Sequence, residues 1–173
     1  MMGRDILKYG VIAGVVVAAE MWISLLAFGG ELPHGVLGMA LGYLTMLIAL
    51  SAVVLGIKHH RDADLGGSIR FWPAFGLGLG ISFVAGMFYV LAWELAMATV
   101  VHDFAGNYAA STIAHAKAGG ADAAAMAQLT AEMDAFKVQY ANPLFRLPMT
   151  FAEIFPVGVL VSLISAAVLR RQP

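Results

Sequence analysis

The chain has 173 residues, 61% of them hydrophobic and 12% charged, with no cysteine and a formal net charge of −1. A soluble domain carries about a quarter charged residues, so this composition excludes an ordinary soluble globule and directs the reading to a membrane. Without cysteine there are no disulfides, thiolate metal sites or cysteine nucleophiles, and the near-neutral charge gives no reason to expect nucleic acid as a partner.

A helix crossing a hydrocarbon core of about 30 Å needs roughly 20 mostly apolar residues. Four segments satisfy this: Ile6–Phe28, Gly35–Ile57, Trp72–Val101 and Leu144–Leu169. None shows the two-residue alternation of a barrel strand, so the expected fold is an all-α bundle of four spans in a single domain covering residues 1–173. The first segment follows Arg4 and Lys8, as a secretory signal would. It is too long for a signal core, carries Glu20 and lacks a small-x-small cleavage site, so it reads as a retained helix.

Along the first span Gly10, Ala13, Val17, Glu20, Ser24 and Ala27 alternate steps of three and four and share one mostly small face. Gly38/Gly42 and Gly76/Gly80 are GxxxG pairs in the second and third spans. In lipid, close backbone approach over small residues supplies packing that hydrophobicity cannot, so these faces are expected to meet, with Glu20 pointing into the bundle. Between spans two and three, Lys58-His59-His60-Arg61 reads as a solvated loop. Asp62-Ala63-Asp64 with Gly67 resembles the start of a calcium loop, but its twelfth position is Pro73 instead of glutamate.

The stretch from His102 to Pro143 reads as a helical insertion in two pieces, about 103–118 and 122–141, broken at Gly119-Gly120. Tandem glycines cost about 2 kcal/mol against alanine inside a helix, and Asp122 suits an N-cap. Met126, Leu129, Met133, Phe136 and Tyr140 form one apolar stripe, expected to pack on Phe104, Tyr108 and Ile113 or on the membrane surface. Asn142-Pro143 ends the insertion. His34, His102 and His115, with Glu31 and Asp103, show no metal-ligand spacing, and no cofactor or catalytic motif stands in a suitable context. No enzyme activity is read.

Lys and Arg fall unevenly. Seven flank the two termini and the 58–71 connection; three lie in the insertion and at the start of the last span. The positive-inside rule then puts both termini in the cytoplasm and makes the insertion face outward. In that frame Glu20, Glu94 and Glu153 interrupt three different spans at one depth, roughly 10–14 Å below the outer boundary at about 1.5 Å per residue. Arg146 lies two turns from Glu153 on the same face and is a candidate counter-ion; Trp22, Trp93 and Tyr89 fall near the same level. Intramembrane carboxylates are expensive and default to a functional reading. Glu20, Glu94, Glu153, Arg146, Trp22 and Trp93 therefore form the candidate site, suited to a proton, a cation or a lipid-like ligand with a cationic headgroup.

Short motifs distributed over the chain add a resemblance. They are Lys8-Tyr9-Gly10, the Gly42–Leu50 run, Gly56-Ile57-Lys58, Leu65-Gly66-Gly67-Ser68-Ile69, Phe136-Lys137, Tyr140, Asn142-Pro143-Leu144-Phe145 and Glu153-Ile154-Phe155-Pro156-Val157-Gly158. In these the chain resembles the bacterial four-span proteins of the domain-of-unknown-function 4199 family. The resemblance implies an inner-membrane bundle with an extracytoplasmic insertion and implies no reaction. Two functions are compatible with these readings: transport or binding through the glutamate layer, or an accessory protein recruiting a partner through the insertion. The expected partners are the lipid bilayer and, for so small a bundle, a second copy or another membrane protein.

Overall fold

A computed structural model describes residues 2–29 and 35–171. Six α-helices account for nearly all of them: α1 Met2–Ala27, α2 Gly35–His59, α3 Phe71–Thr99, α4 Phe104–Ala118, α5 Ala123–Tyr140 and α6 Pro143–Leu169, with a π-helical turn His60–Asp64 continuing α2. Among the described residues the only β pairing is a single bridge between Ile69 and Arg171. Four helices, α1, α2 with its π-turn, α3 and α6, are long and apolar enough to cross a membrane. They carry many exposed large hydrophobic side chains, such as Ile23, Leu26, Leu47, Leu91, Leu160 and Ile164, as expected of helices whose outer faces meet lipid tails.

α3 is the centre of the bundle, packing most extensively on α1 and α6; α2 packs on α1, α6 and α3, while α1 and α6 have at most marginal contact. Small residues set the spacing, as the sequence pattern predicts. On α1, Gly10 lies against Val84 and Gly14 against Phe88; on α3, Gly78 and Gly86 admit Ser162 and Phe151; on α6, Gly158 admits Ser82. A polar knot closes this last contact: Ser82 and Ser162 both donate to the Gly158 carbonyl, at 3.2 and 2.7 Å.

The GxxxG pairs behave differently from expectation. Gly80 is tight against Ile6, whereas Gly76 meets only the tip of Met2 at 3.8 Å, and a Cβ on Gly42 would meet nothing. Gly42 faces open space because the half of α2 nearest the hairpin, with Leu41, Tyr43 and Leu44 exposed, stands away from its neighbours.

The insertion forms the expected hairpin. Asp122 caps α5 by accepting from the Ala125 amide at 2.8 Å, Gly120 takes a positive φ of 78°, and Asn142 caps α6 with Pro143 in its first turn. Tyr108 meets Phe136 at 5.5 Å and Phe104 meets Tyr140 at 5.3 Å between ring centroids, so the stripe on α5 is largely used within the hairpin.

The 58–71 connection is not the solvated loop its charges suggest. His60 and Arg61 are buried: the Arg61 guanidinium reaches Asp62 and the Leu169 carbonyl, and His60 faces Asp5 and Asp64. Ile69 and Arg171 exchange backbone hydrogen bonds at 3.1 and 3.0 Å, fixing the end of α6 to the same connection. Continuing the helix by a π-turn in place of a loop is what turns these polar groups inward.

Candidate functional site

The six residues singled out from sequence lie in the half of the bundle nearest the hairpin, but five of them form two arrangements and not one cluster, and Trp22 joins neither. Glu94 of α3 pairs with Arg146 of α6. The guanidinium Nε and Nη2 donate to Glu94 Oε1 and Oε2, both at 2.6 Å, and Nη1 donates to the Tyr140 carbonyl at 3.1 Å. A bidentate guanidinium–carboxylate pair is among the strongest side-chain contacts. Trp93 joins the same assembly: its indole N–H donates to the Tyr140 hydroxyl at 2.7 Å, and its ring stands edge-on to Phe104 at 5.0 Å. Arg146 is thus the counter-ion of Glu94, where the sequence reading had offered it to Glu153.

Helix phase explains the exchange. Arg146, Thr150 and Glu153 share the face of α6 that meets α3, and the two helices run antiparallel, so Arg146 meets Glu94 while Glu153 lies one to two turns deeper, opposite Tyr89. There the Tyr89 hydroxyl donates to Glu153 Oε2 at 3.0 Å. Pro156 lacks the amide that would bond the Ala152 carbonyl. Ala152, Glu153 and Pro156 line one side of an open groove, and Gly42, Tyr43 and Met46 of α2 line the other.

Glu20 belongs to the second arrangement. It lines a cavity of about 180 Å³ between the hairpin-proximal halves of α1, α2 and α3, together with Val17, Ser24, Gly42, Thr45, Tyr89 and Trp93 among others. Tyr89 and Trp93 are four residues apart and share one face of α3; Glu94, one residue further on, is turned about 100° away, which is why it meets α6. Glu20 forms no ion pair or side-chain hydrogen bond among the described residues, and its carboxylate is open to the cavity. Gly42, Met46 and Tyr89 line both the cavity and the groove, so the two spaces adjoin across them, with Glu20 on one side and Glu153 on the other. Trp22 does not line the cavity; it packs beside Met21 and Leu25.

Outside the spans, burial pushes the Tyr140 phenol up to about 12, although the hydrogen bond from Trp93 pulls the other way. Of the extracytoplasmic metal set considered from sequence, Asp103 is used as the α4 N-cap, accepting from the Gly106 amide at 3.1 Å, and His102 and His115 are exposed. Glu31 and His34 lie outside the described residues.

Four apolar spans capped by a helical hairpin, with paired and unpaired carboxylates beneath it, define a small multi-pass membrane protein. The chain belongs to the family described as "Protein of unknown function (DUF4199)", which it matches over residues 8–171. No curated protein and no solved structure matches it.

Proposed function

We propose that the protein is a non-enzymatic membrane protein that binds, and in doing so moves, a small cation through the cavity containing Glu20. The observation that carries this reading is a carboxylate without an ion pair lining a cavity of about 180 Å³ inside an otherwise apolar bundle. That space is well beyond the roughly 10–15 Å³ that admits one water. It suits a partly hydrated metal ion or a small organic ammonium better than a whole lipid. Trp93 and Tyr89 bring aromatic rings to the same wall, which favours a cation. Glu94 is occupied by Arg146 and serves to fix α3 to α6; Glu153, held by Tyr89, is the second carboxylate a cation or proton would meet on leaving the cavity for the groove.

In this reading both termini are cytoplasmic in a bacterial inner membrane and the hairpin is extracytoplasmic, following the distribution of Lys and Arg. The cavity then lies in the outer leaflet. The test is a thermal-shift series on purified protein with sodium, potassium and tetramethylammonium, since a bound ligand stabilises by mass action. At least one cation raises the midpoint of the wild type, and Glu20→Gln abolishes that rise while folding normally. Equal responses from wild type and Glu20→Gln, or no response at all, would leave the glutamates as packing elements only.

A further inference from the structure

At the end of the bundle that carries both termini, far from the glutamate layer, three side chains converge from two elements. Asp5 of α1 and His60 and Asp64 of the π-turn offer ligand atoms all within 4.8 Å of one another. His60 Nδ1 lies 2.8 Å from Asp5 Oδ2 and 2.9 Å from Asp64 Oδ2. Asp5 is only 1% exposed and His60 7%. We propose that Asp5, His60 and Asp64 form a binding site for a divalent transition-metal cation of the zinc class.

Two features of this cluster point beyond a hydrogen-bonded latch. An imidazole Nδ1 carries at most one hydrogen, yet two carboxylate oxygens stand at bonding distance from that single atom. One N–H can serve both only as a bent, three-centre bond, weaker to each acceptor than a linear one. The charges do not close either: two carboxylates against one imidazolium leave a net −1 in a buried place, where an unpaired charge is expensive. The Arg61 guanidinium does not supply the balance, because it is turned to Asp62 and the Leu169 carbonyl. Arg4 is exposed and makes no ion pair among the described residues; its charge reaches Asp64 without contact and offsets the excess only in part.

A divalent cation in place of the shared hydrogen resolves both points. With neutral imidazole and two carboxylates the site becomes neutral, and each donor atom keeps one bond to the centre. Tetrahedral zinc with donors at about 2.0–2.2 Å holds neighbouring donors about 3.3 Å apart, so the observed separations need widen by only about half an ångström. Mixed imidazole and carboxylate donors suit zinc, manganese or iron, whereas calcium and magnesium take all-oxygen shells. Three protein donors leave a fourth position for water, reached past Asp64, the least buried of the three. The local fold prepares the set. The π-turn puts His60 and Asp64, four residues apart, on the side facing α1, and π-turns recur at functional sites.

The test uses full-length protein in detergent, metal-free after EDTA, with Zn²⁺ and Co²⁺ as probes. The wild type binds one equivalent of Zn²⁺ with a rise in thermal midpoint that EDTA reverses. Co²⁺ gives visible d–d bands that saturate at one equivalent and are displaced by Zn²⁺. Asp5→Asn and His60→Asn weaken binding at least a hundredfold, while His115→Ala leaves it unchanged. His60→Asn is the informative variant, because an amide NH₂ carries two hydrogens and can satisfy both carboxylates, preserving a latch while removing the metal ligand. Zn²⁺ binding that survives in both variants, or a wild type without saturable Co²⁺ bands, would overturn the site and leave a hydrogen-bonded latch only. The Co²⁺ result on the wild type decides the matter even where a variant does not fold.

Discussion

At the scale of single residues, the ion pair between Glu94 and Arg146 and the unpaired Glu20 behave as opposites. Both partners of the pair are mostly withdrawn from solvent, with side chains 27% and 13% exposed. Removing one charge strands the other, and because the pair is only partly buried the cost is about 1–3 kcal/mol, below that of a fully buried pair. Glu94→Gln and Arg146→Gln should each lower stability by about that amount in denaturant titration, and the double variant should lose much less than their sum. Glu20→Gln should cost little, having no partner to strand. Tyr140 gives a pH signature. Its folded value of about 12 lies above the ordinary value near 10, so its contribution is complete below pH 10 and is lost as pH rises from 10 through 12. Midpoints measured across that range should fall more steeply for wild type than for Tyr140→Phe. The polar residues of this layer were legible in the sequence because charges stand out in apolar spans; their partners were not. Placing Arg146 with Glu94 or with Glu153 depends on the register of α3 against α6, which no single helix encodes. Asp5 was passed over, and His60 and Asp64 were read as part of a solvated loop and of an incomplete calcium loop, because they sit among ordinary flanking charges and their burial follows from a π-turn with no distinguishing residue pattern.

At the scale of elements, glycine has two roles. Where helices touch, an added methyl collides: a Cβ on Gly158 would lie 2.6 Å from the Ser82 Cβ. Gly158→Ala should therefore lower stability by about 1–3 kcal/mol, as overpacking does, and loosen α3 from α6. Gly42 meets open space, and replacing a helical glycine with a better helix former gains up to about 1 kcal/mol. Gly42→Leu should fold at least as stably as wild type in thermal denaturation, while filling the cavity and removing any cation-induced shift. A stability loss at Gly42 comparable to that at Gly158 would mean that the hairpin-proximal half of α2 packs closely after all. The small face of α1 was readable from its spacing, since a helix must turn some face inward. The GxxxG pairs were not decisive, because glycine marks close approach and open space with the same letter. The hairpin was the most legible element: tandem glycines, Asp122 and Asn142-Pro143 each carry a local physical instruction that no tertiary contact overrides.

For the whole molecule, four spans and an all-helical architecture follow from length and apolarity alone, and the arrangement around α3 does not. Orientation has its own check. A reporter enzyme active only outside the cytoplasm should be silent when fused after Pro173 and active when inserted near Gly119; the reverse pattern would put the glutamate layer in the inner leaflet. The central place of α3 also has a consequence for how the chain is made. Spans leave the ribosome in order, yet the principal neighbour of α1 is α3, not α2. Until the third span is released, the small-residue face of α1 and its Glu20 have no permanent cover. Synthesis thus passes through an interval in which a carboxylate waits in the bilayer for the helix that completes the wall of its cavity.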